Sequence, residues 1–195
     1  MTTFYLIRHG SNDFLPRALA GRLPNVHLND QGRAEAERVV ELLKSAPIRQ
    51  IFSSPMERCR ETAEPLARAL NLPVQISDAF NEVDFGEWKG AELTTVRNDP
   101  RWTDWTTFRS GHLIPGGETM VQIQSRIASE LLRLKSQFPD EHIAIFSHGD
   151  PIRAALCYWL GMPLDFLNRL KADPGSISVV SVDDRGAIVE SLNGK

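Results

Sequence analysis

Two apolar runs in this chain of 195 residues end alike. Phe4-Tyr5-Leu6-Ile7 leads into Arg8-His9-Gly10, and Ile143-Ala144-Ile145-Phe146 leads into Ser147-His148-Gly149. Runs of this kind read as buried strands. If they lie parallel in one sheet, each delivers a histidine to the carboxyl edge, where open α/β sheets bind ligands. Gly10 removes a Cβ beside His9 and lets a ligand or a turn come close. Arg58 falls in the first turn of a helix that follows another strand directly, where unpaired amides attract anions. The acidic stretch 81–90 (NEVDFGEWKG) adds carboxylates. Two histidines, two arginines and a glutamate or aspartate at one site suit phosphoryl chemistry: holding the group, taking it onto a nucleophile and protonating the leaving oxygen.

A metal centre is the competing chemistry. Histidines suit zinc, but arginines beside them oppose a divalent cation, and no carboxylate or cysteine spacing matches a ligand set. The expectation is therefore no metal and no cofactor. The chain also lacks a Walker loop, a dinucleotide fingerprint and a Gly-x-Ser-x-Gly elbow.

The elements that must position these groups can be taken in order. Strand one covers about Thr3 to Arg8. Ser11 to Leu28 has no sustained period and reads as a long loop, a kind that is usually functional in compact domains; its cations are Arg17 and Arg22. Asn29 or Asp30 caps a helix to about Ser45, with Ala36, Val39, Val40 and Leu43 facing the core. Ile48 to Ser53 is a second strand. Ser54 then caps a helix with Pro55 at its first position, buried along Met56, Cys59, Ala63, Leu66 and Leu70. Val74 to Ile76 is a short strand. After the acidic stretch, Trp102, Trp105 and Phe108 interleave with Arg97, Arg101 and Arg109, which we read as a helical cover over the sheet edge. Met120, Ile123, Ile127, Leu131 and Leu134 give one long amphipathic helix its core face. Pro151 opens a helix with Ile152, Ala155, Leu156 and Trp159 inward. Ser176 to Val182 and Ala187 to Leu192 form a closing strand pair. Strands alternating with helices predict an α/β three-layer sandwich, a mostly parallel central sheet with helices on both faces.

Length makes a single domain over 1–195 the default. A net charge of −3 gives no basic field, so nucleic acid is not an expected partner. No apolar run approaches a membrane span and no signal-peptide pattern opens the sequence. Cys59 and Cys157 sit at helix-like apolar positions without ligand spacing, as reduced core thiols do, so a cytoplasmic location is expected.

At this point the sequence resembles the histidine phosphatase superfamily, which includes the cofactor-dependent phosphoglycerate mutases. The resemblance spans nearly the whole chain. It rests on LIRHG at 6–10, LNDQGRAEAE at 28–37, SSPMERCRETAEPLA at 53–67, NEVDFGEWKG at 81–90, PGGET at 115–119 and FSHGDPIRAAL at 146–156. It implies a phosphoglycerate mutase-like fold and a set of roles. His9 matches the nucleophile that becomes a phosphohistidine. Arg8 and Arg58 match the arginines that hold phosphoryl oxygens, and His148 matches the histidine that completes the pocket. Glu82 falls where the family has its proton donor, with Asp84 the alternative because some branches use an aspartate. The Gly149 amide would lie beside the phosphate, and Gly21 and Arg22 match a stretch lining the substrate pocket. Many members carry an asparagine where this chain has Leu15, so Asn12 stands as the substitute.

These roles make physical demands. A neutral imidazole is the nucleophile near neutral pH, so His9 needs an acceptor, expected to be a backbone carbonyl, for its other nitrogen. Glu82 must hold a proton, which calls for a raised pKa. Within the family a phosphomonoesterase is favoured over a mutase. Mutases are longer and place a basic insertion after the acidic loop, whereas 91–115 offers aromatics here. A third reading, a non-catalytic phosphate binder, would not need every reactive position filled. The expected partner is a small phosphomonoester; the oligomeric state stays open, a homodimer included.

Overall fold

A computed structural model describes residues 1–15 and 17–195. Six strands form one sheet in the order β3-β2-β4-β1-β5-β6: β1 Thr2–Arg8, β2 Ile48–Ser53, β3 Val74–Ile76, β4 His142–Ser147, β5 Ile177–Val182 and β6 Ala187–Gly194. The β3-β2, β2-β4 and β4-β1 pairings are parallel, and the β5-β6 hairpin joins β1 antiparallel. Central strands covered on both faces need apolar side chains on both, which is why β1 and β4 are unbroken apolar runs rather than alternating ones. The expected sandwich is the observed one.

Helices α1 (Asp30–Leu43) and α2 (Glu57–Leu70) cover one face. There Val39, Leu43, Ala63 and Leu66 pack on Ile7, Ile51, Ala144 and Phe146. On the other face α5 (Met120–Gln137) and α6 (Gly149–Leu160) bring Ile127, Leu131, Ile152 and Leu156 onto Phe4, Leu6, Ile143 and Ile145. Short helices α3 (Leu93–Val96) and α4 (Pro100–Thr107) fold the 91–115 segment over a third apolar cluster. That cluster joins Val83, Phe85, Trp88 and Trp105 to Met120 and Ile123, none of them in a strand, so the aromatics of the segment cover the acidic loop and α5 rather than packing on the sheet itself. Among the described residues no helix is long and apolar enough to cross a membrane.

The helix starts follow cap chemistry where it is available. The Asn29 side chain accepts from the Gly32 amide, and Thr119 and Gln122 form a reciprocal capping box on α5. Two expected starts are corrected. α2 begins at Glu57 behind Met56, with no side-chain cap, so Ser54 is not its cap and Pro55 not its first residue. The Ser54 amide stays bound to the Phe146 carbonyl, and its hydroxyl meets His148 Nε2 at 2.8 Å while accepting from the Met56 amide at 3.3 Å, so it closes a turn ahead of α2 rather than capping the helix. α6 begins at Gly149, two residues before Pro151; a proline in a first turn removes only an amide that has no partner within the helix.

Candidate active site

The β1–β4 register pairs Arg8 with Ser147, so the next residues, His9 and His148, leave the sheet side by side. Their rings sit 5.1 Å apart edge to face, and both are buried, at 2% and 0% exposure. The His9 amide donates to Ser147 O at 3.0 Å and the Gly10 amide to Thr62 Oγ1 at 3.0 Å, which fixes the turn after β1 against α2. His9 Nδ1 meets the Gly10 carbonyl at 2.8 Å, the backbone acceptor expected for it, and this leaves Nε2 as the nitrogen facing the site.

Arg58 joins the two rings. Its Nε donates to His9 Nε2 at 3.3 Å, its Nη2 to His148 Nδ1 at 3.1 Å and to the Gly21 carbonyl at 2.7 Å. The side chain is 1% exposed although it lies off the apolar stripe of α2. Glu82 reaches in from the acidic loop, its Oε2 3.5 Å from His148 Nδ1. Because Nδ1 accepts from Arg58, the neutral His148 ring carries its proton on Nε2 and donates it to the Ser54 hydroxyl at 2.8 Å. Cys59 packs below, its Sγ 3.4 Å from His148 Nε2, with burial pushing the thiol up to about 12. That thiol is inert packing.

Burial sets the protonation states. It drives the His9 pKa well below 6.5, helped by the Arg58 and Arg8 charges, and drives His148 down likewise, helped by Arg58 and His9. Both rings are neutral near neutral pH. Burial raises the Glu82 carboxyl above its ordinary range, and the Asp150 charge adds to this against the pull of Arg58. Asp150 is itself pushed up by burial, but Arg153 and Arg109 pull it below its usual value. One carboxyl of the site thus favours its proton while its neighbour favours its charge, the pattern that separates an acid from a spectator.

Arg8, His9, Asn12, Arg58, Glu82 and Gly149 share the wall of a cavity of about 200 Å³. Three of them hold buried donors with no partner among the described residues: Arg8 Nε, Asn12 Nδ2 and Arg58 Nη1. Buried donors are seldom left orphaned, and three around one small cavity make a cradle for an anion. Gly149 starts α6 against the Arg8 guanidinium, where a Cβ would stand 3.4 Å from its Nε and Cζ, and it contributes a first-turn amide. A larger groove of about 620 Å³ between α1 and α2 has none of this chemistry; its charged rim includes His27 and Glu61, which pair with each other.

One nitrogen each of His9 and His148 and one Glu82 oxygen lie within 4.8 Å of one another, a spacing a metal ion could bridge. The donor set argues otherwise: both ring nitrogens already face Arg58 N–H groups at 3.1 and 3.3 Å, so a divalent cation would stand against a guanidinium.

The structure thus gathers Arg8, His9, Asn12, Gly21, Arg58, Glu82 and Gly149 around one cavity, with His148 behind them. Gly21 turns its carbonyl to Arg58. Arg22 is elsewhere: its guanidinium is held by the Glu82 carbonyl at 2.9 Å and by Glu118 at 2.7 Å, outside the cavity wall. Asp84 accepts from the Gly86 amide at 3.1 Å and faces Arg22 at 4.0 Å, also away from the cavity. Sequence reasoning overlooked Asp150 and Arg153, which pair with each other and line the cavity, although both stand in the quoted 146–156 motif. It read Arg109 as part of a helical cover and gave it no partner; Arg109 is buried, 3.7 Å over the Trp105 ring and 3.3 Å from Asp150.

Comparison with known proteins gives the family and the fold. A family model described as histidine phosphatase superfamily (branch 1) matches residues 4–195. Phosphoserine phosphatase 1 of Hydrogenobacter thermophilus is 26% identical over 195 residues, covering 99% of this chain and 92% of that protein. Among solved structures, YhfR of Bacillus stearothermophilus superposes with a TM-score of 0.93 at 23% identity, covering 100% of this chain and 98% of that one. A phosphoserine phosphatase of Entamoeba histolytica, solved with 3-phosphoglyceric acid, gives 0.91 at 23% identity, again over 100% and 98%.

Proposed function

The chain belongs to the histidine phosphatase superfamily (branch 1), and on that premise we propose that it is a metal-independent phosphomonoesterase working through a phosphohistidine on His9. Arg8, Arg58, Asn12 and the Gly149 amide hold the phosphoryl oxygens. His9 Nε2 attacks phosphorus, and the bond to the ester oxygen breaks. Glu82 gives its proton to that oxygen, which leaves as an alcohol. The Glu82 carboxylate then takes a proton from water, the resulting hydroxide attacks phosphorus, and the P–N bond breaks. Neutral His9, protonated Glu82 and inorganic phosphate result. The fixed donors stabilise charge on the equatorial oxygens as it builds.

The observation that carries this reading is the setting of His9: Nδ1 is anchored on the Gly10 carbonyl at 2.8 Å, which leaves Nε2 for chemistry, and the cavity that His9 lines is also walled by three residues whose buried donors have no partner among the described residues. The substrate class is a small phosphorylated metabolite, in keeping with a cavity of about 200 Å³ and with relatives named for phosphoserine. A single domain over 1–195 and a reducing, cytoplasmic setting complete the proposal; the buried free thiols Cys59 and Cys157 support the latter.

The test is turnover of p-nitrophenyl phosphate and phosphoserine in EDTA. Activity should persist with chelator and vanish in His9→Ala. Peptide mapping after quenching in base, because phosphohistidine is acid-labile, should place the phosphoryl group on His9. Label on a serine or aspartate, or activity that EDTA removes, would refute the scheme. A mutase would instead interconvert phosphoglycerate isomers when bisphosphoglycerate is supplied.

A further inference from the structure

We propose that Glu118 is a positioning residue for the proton donor, holding two arginines on the Glu82 carbonyl so that the Glu82 side chain is fixed over the site. This rests on Glu82 being the donor.

Glu82 belongs to a loop, and loops move more than the elements they join. A general acid must stay within hydrogen-bond reach of the leaving oxygen, and a displacement of about 1 Å can cost about a hundredfold in rate. Something must therefore hold this loop. The Glu82 carbonyl accepts from Arg22 Nε at 2.9 Å and from Arg126 Nη2 at 3.1 Å. The Glu118 carboxylate takes both guanidiniums, with Oε2 2.7 Å from Arg22 Nη2 and Oε1 3.1 Å from Arg126 Nε. Its Oε2 also accepts from the Asp84 amide at 3.1 Å, two residues beyond the donor. One carboxylate so fixes the loop on either side of Val83.

The backbone around Glu118 is built for close approach. Its own amide donates to Asp84 O at 3.1 Å, and the Glu87 amide donates to Pro115 O at 2.9 Å. A Cβ on Gly117 would run into Asp84 O, and one on Gly86 into Pro115 O. These glycines let the two segments lie directly against each other. Glu118 is outside the cavity wall, so it can act on catalysis only through the groups it holds, the Asp84 amide and the two arginines on the Glu82 carbonyl.

The readout is leaving-group dependence. An alkyl phosphate needs its oxygen protonated to leave, whereas 2,4-dinitrophenyl phosphate expels a stable phenolate without help. kcat/KM reports steps up to formation of the phosphoenzyme. In Glu118→Gln it should fall about tenfold or more for the alkyl ester and stay within about twofold for the dinitrophenyl ester, because acid catalysis is typically worth about 10²–10⁴. Affinity for inorganic phosphate, which reads the folded cradle, should be unchanged. Arg126→Gln removes one donor from the same carbonyl and must show the same selectivity, so the idea survives a misfolded Glu118 variant. Equal losses on both esters, or none, overturn the positioning role. Glu82→Gln run alongside separates the two readings: if it shows no leaving-group selectivity, the assignment of the donor has failed instead.

Discussion

Arg58 donates through Nε, at 3.3 Å, to His9 Nε2, the ring nitrogen to which the proposed scheme gives the bond to phosphorus. The contact has two consequences. It sets a permanent positive charge against the nucleophile, so protonation of the ring is disfavoured and its lone pair is kept. It also leaves Nη1, which has no partner among the described residues, as the Arg58 N–H that can meet a phosphoryl oxygen while the rest of the fork stays bound to the two rings and Gly21.

From those charges follows a pH profile. His9 must be neutral, so activity falls on the acid side as pH drops through its lowered pKa. Glu82 must be protonated, so activity falls on the alkaline side as pH rises through its raised pKa. Asp150→Asn removes a negative charge that favours the Glu82 proton, so the alkaline limb of kcat/KM should move to lower pH. Arg58→Ala should move the His9 titration back toward 6.5, read by NMR of the ring carbons. An alkaline limb that stays put in Asp150→Asn would remove Glu82 from that limb.

Asn12 gives a second prediction. Its Oδ1 accepts from the Phe14 and Leu15 amides at 3.0 and 3.3 Å, while its Nδ2 has no partner among the described residues. Asn12→Asp keeps the acceptor and replaces the donor with an anionic oxygen. A hydrogen bond to a charged group is worth about 1.5–3 kcal/mol, so inorganic phosphate should bind roughly ten- to a hundredfold more weakly in this variant. Calorimetric titration measures it, and unaltered binding would leave Asn12 a purely structural turn residue.

A third concerns a residue outside the cavity wall. Gly32 in α1 lies against the backbone after β1: a Cβ there would run into Ser11 O, and one on Gly10 would come within 2.5 Å of Gly32 O. In an open helix Gly→Ala gains up to about 1 kcal/mol, but here neither backbone can yield, and overpacking of this kind costs about 1–3 kcal/mol. Gly32→Ala should therefore lower stability in urea and also lower kcat, because the turn that moves carries His9 and Asn12. A stabilised variant of full activity would contradict the contact.

How much of this the sequence displayed depends on the range of the interaction. Buried parallel strands must be apolar on both faces, so the sudden appearance of Arg8-His9 and Ser147-His148 at their ends was legible without any partner in view. The choice between Glu82 and Asp84 was not, because a loop has no period; only the fold turns one inward and ties the other to Gly86. At Ser54 the local capping rule lost to His148, 94 residues away. Arg22 misled for the same reason, since its partners Glu82 and Glu118 lie 60 and 96 residues on. The burial of Arg109 was not legible because Asp150, which pairs with it, lies 41 residues further along.

The sheet order carries a consequence for biosynthesis. β1 lies between β4 and β5, the fourth and fifth strands of the chain. While a ribosome is still translating residues before 142, the strand bearing His9 has neither neighbour, and the ring has no Ser147 carbonyl or His148 beside it. The setting of His9 therefore closes only after residues 142–182 have been made and have paired with β1.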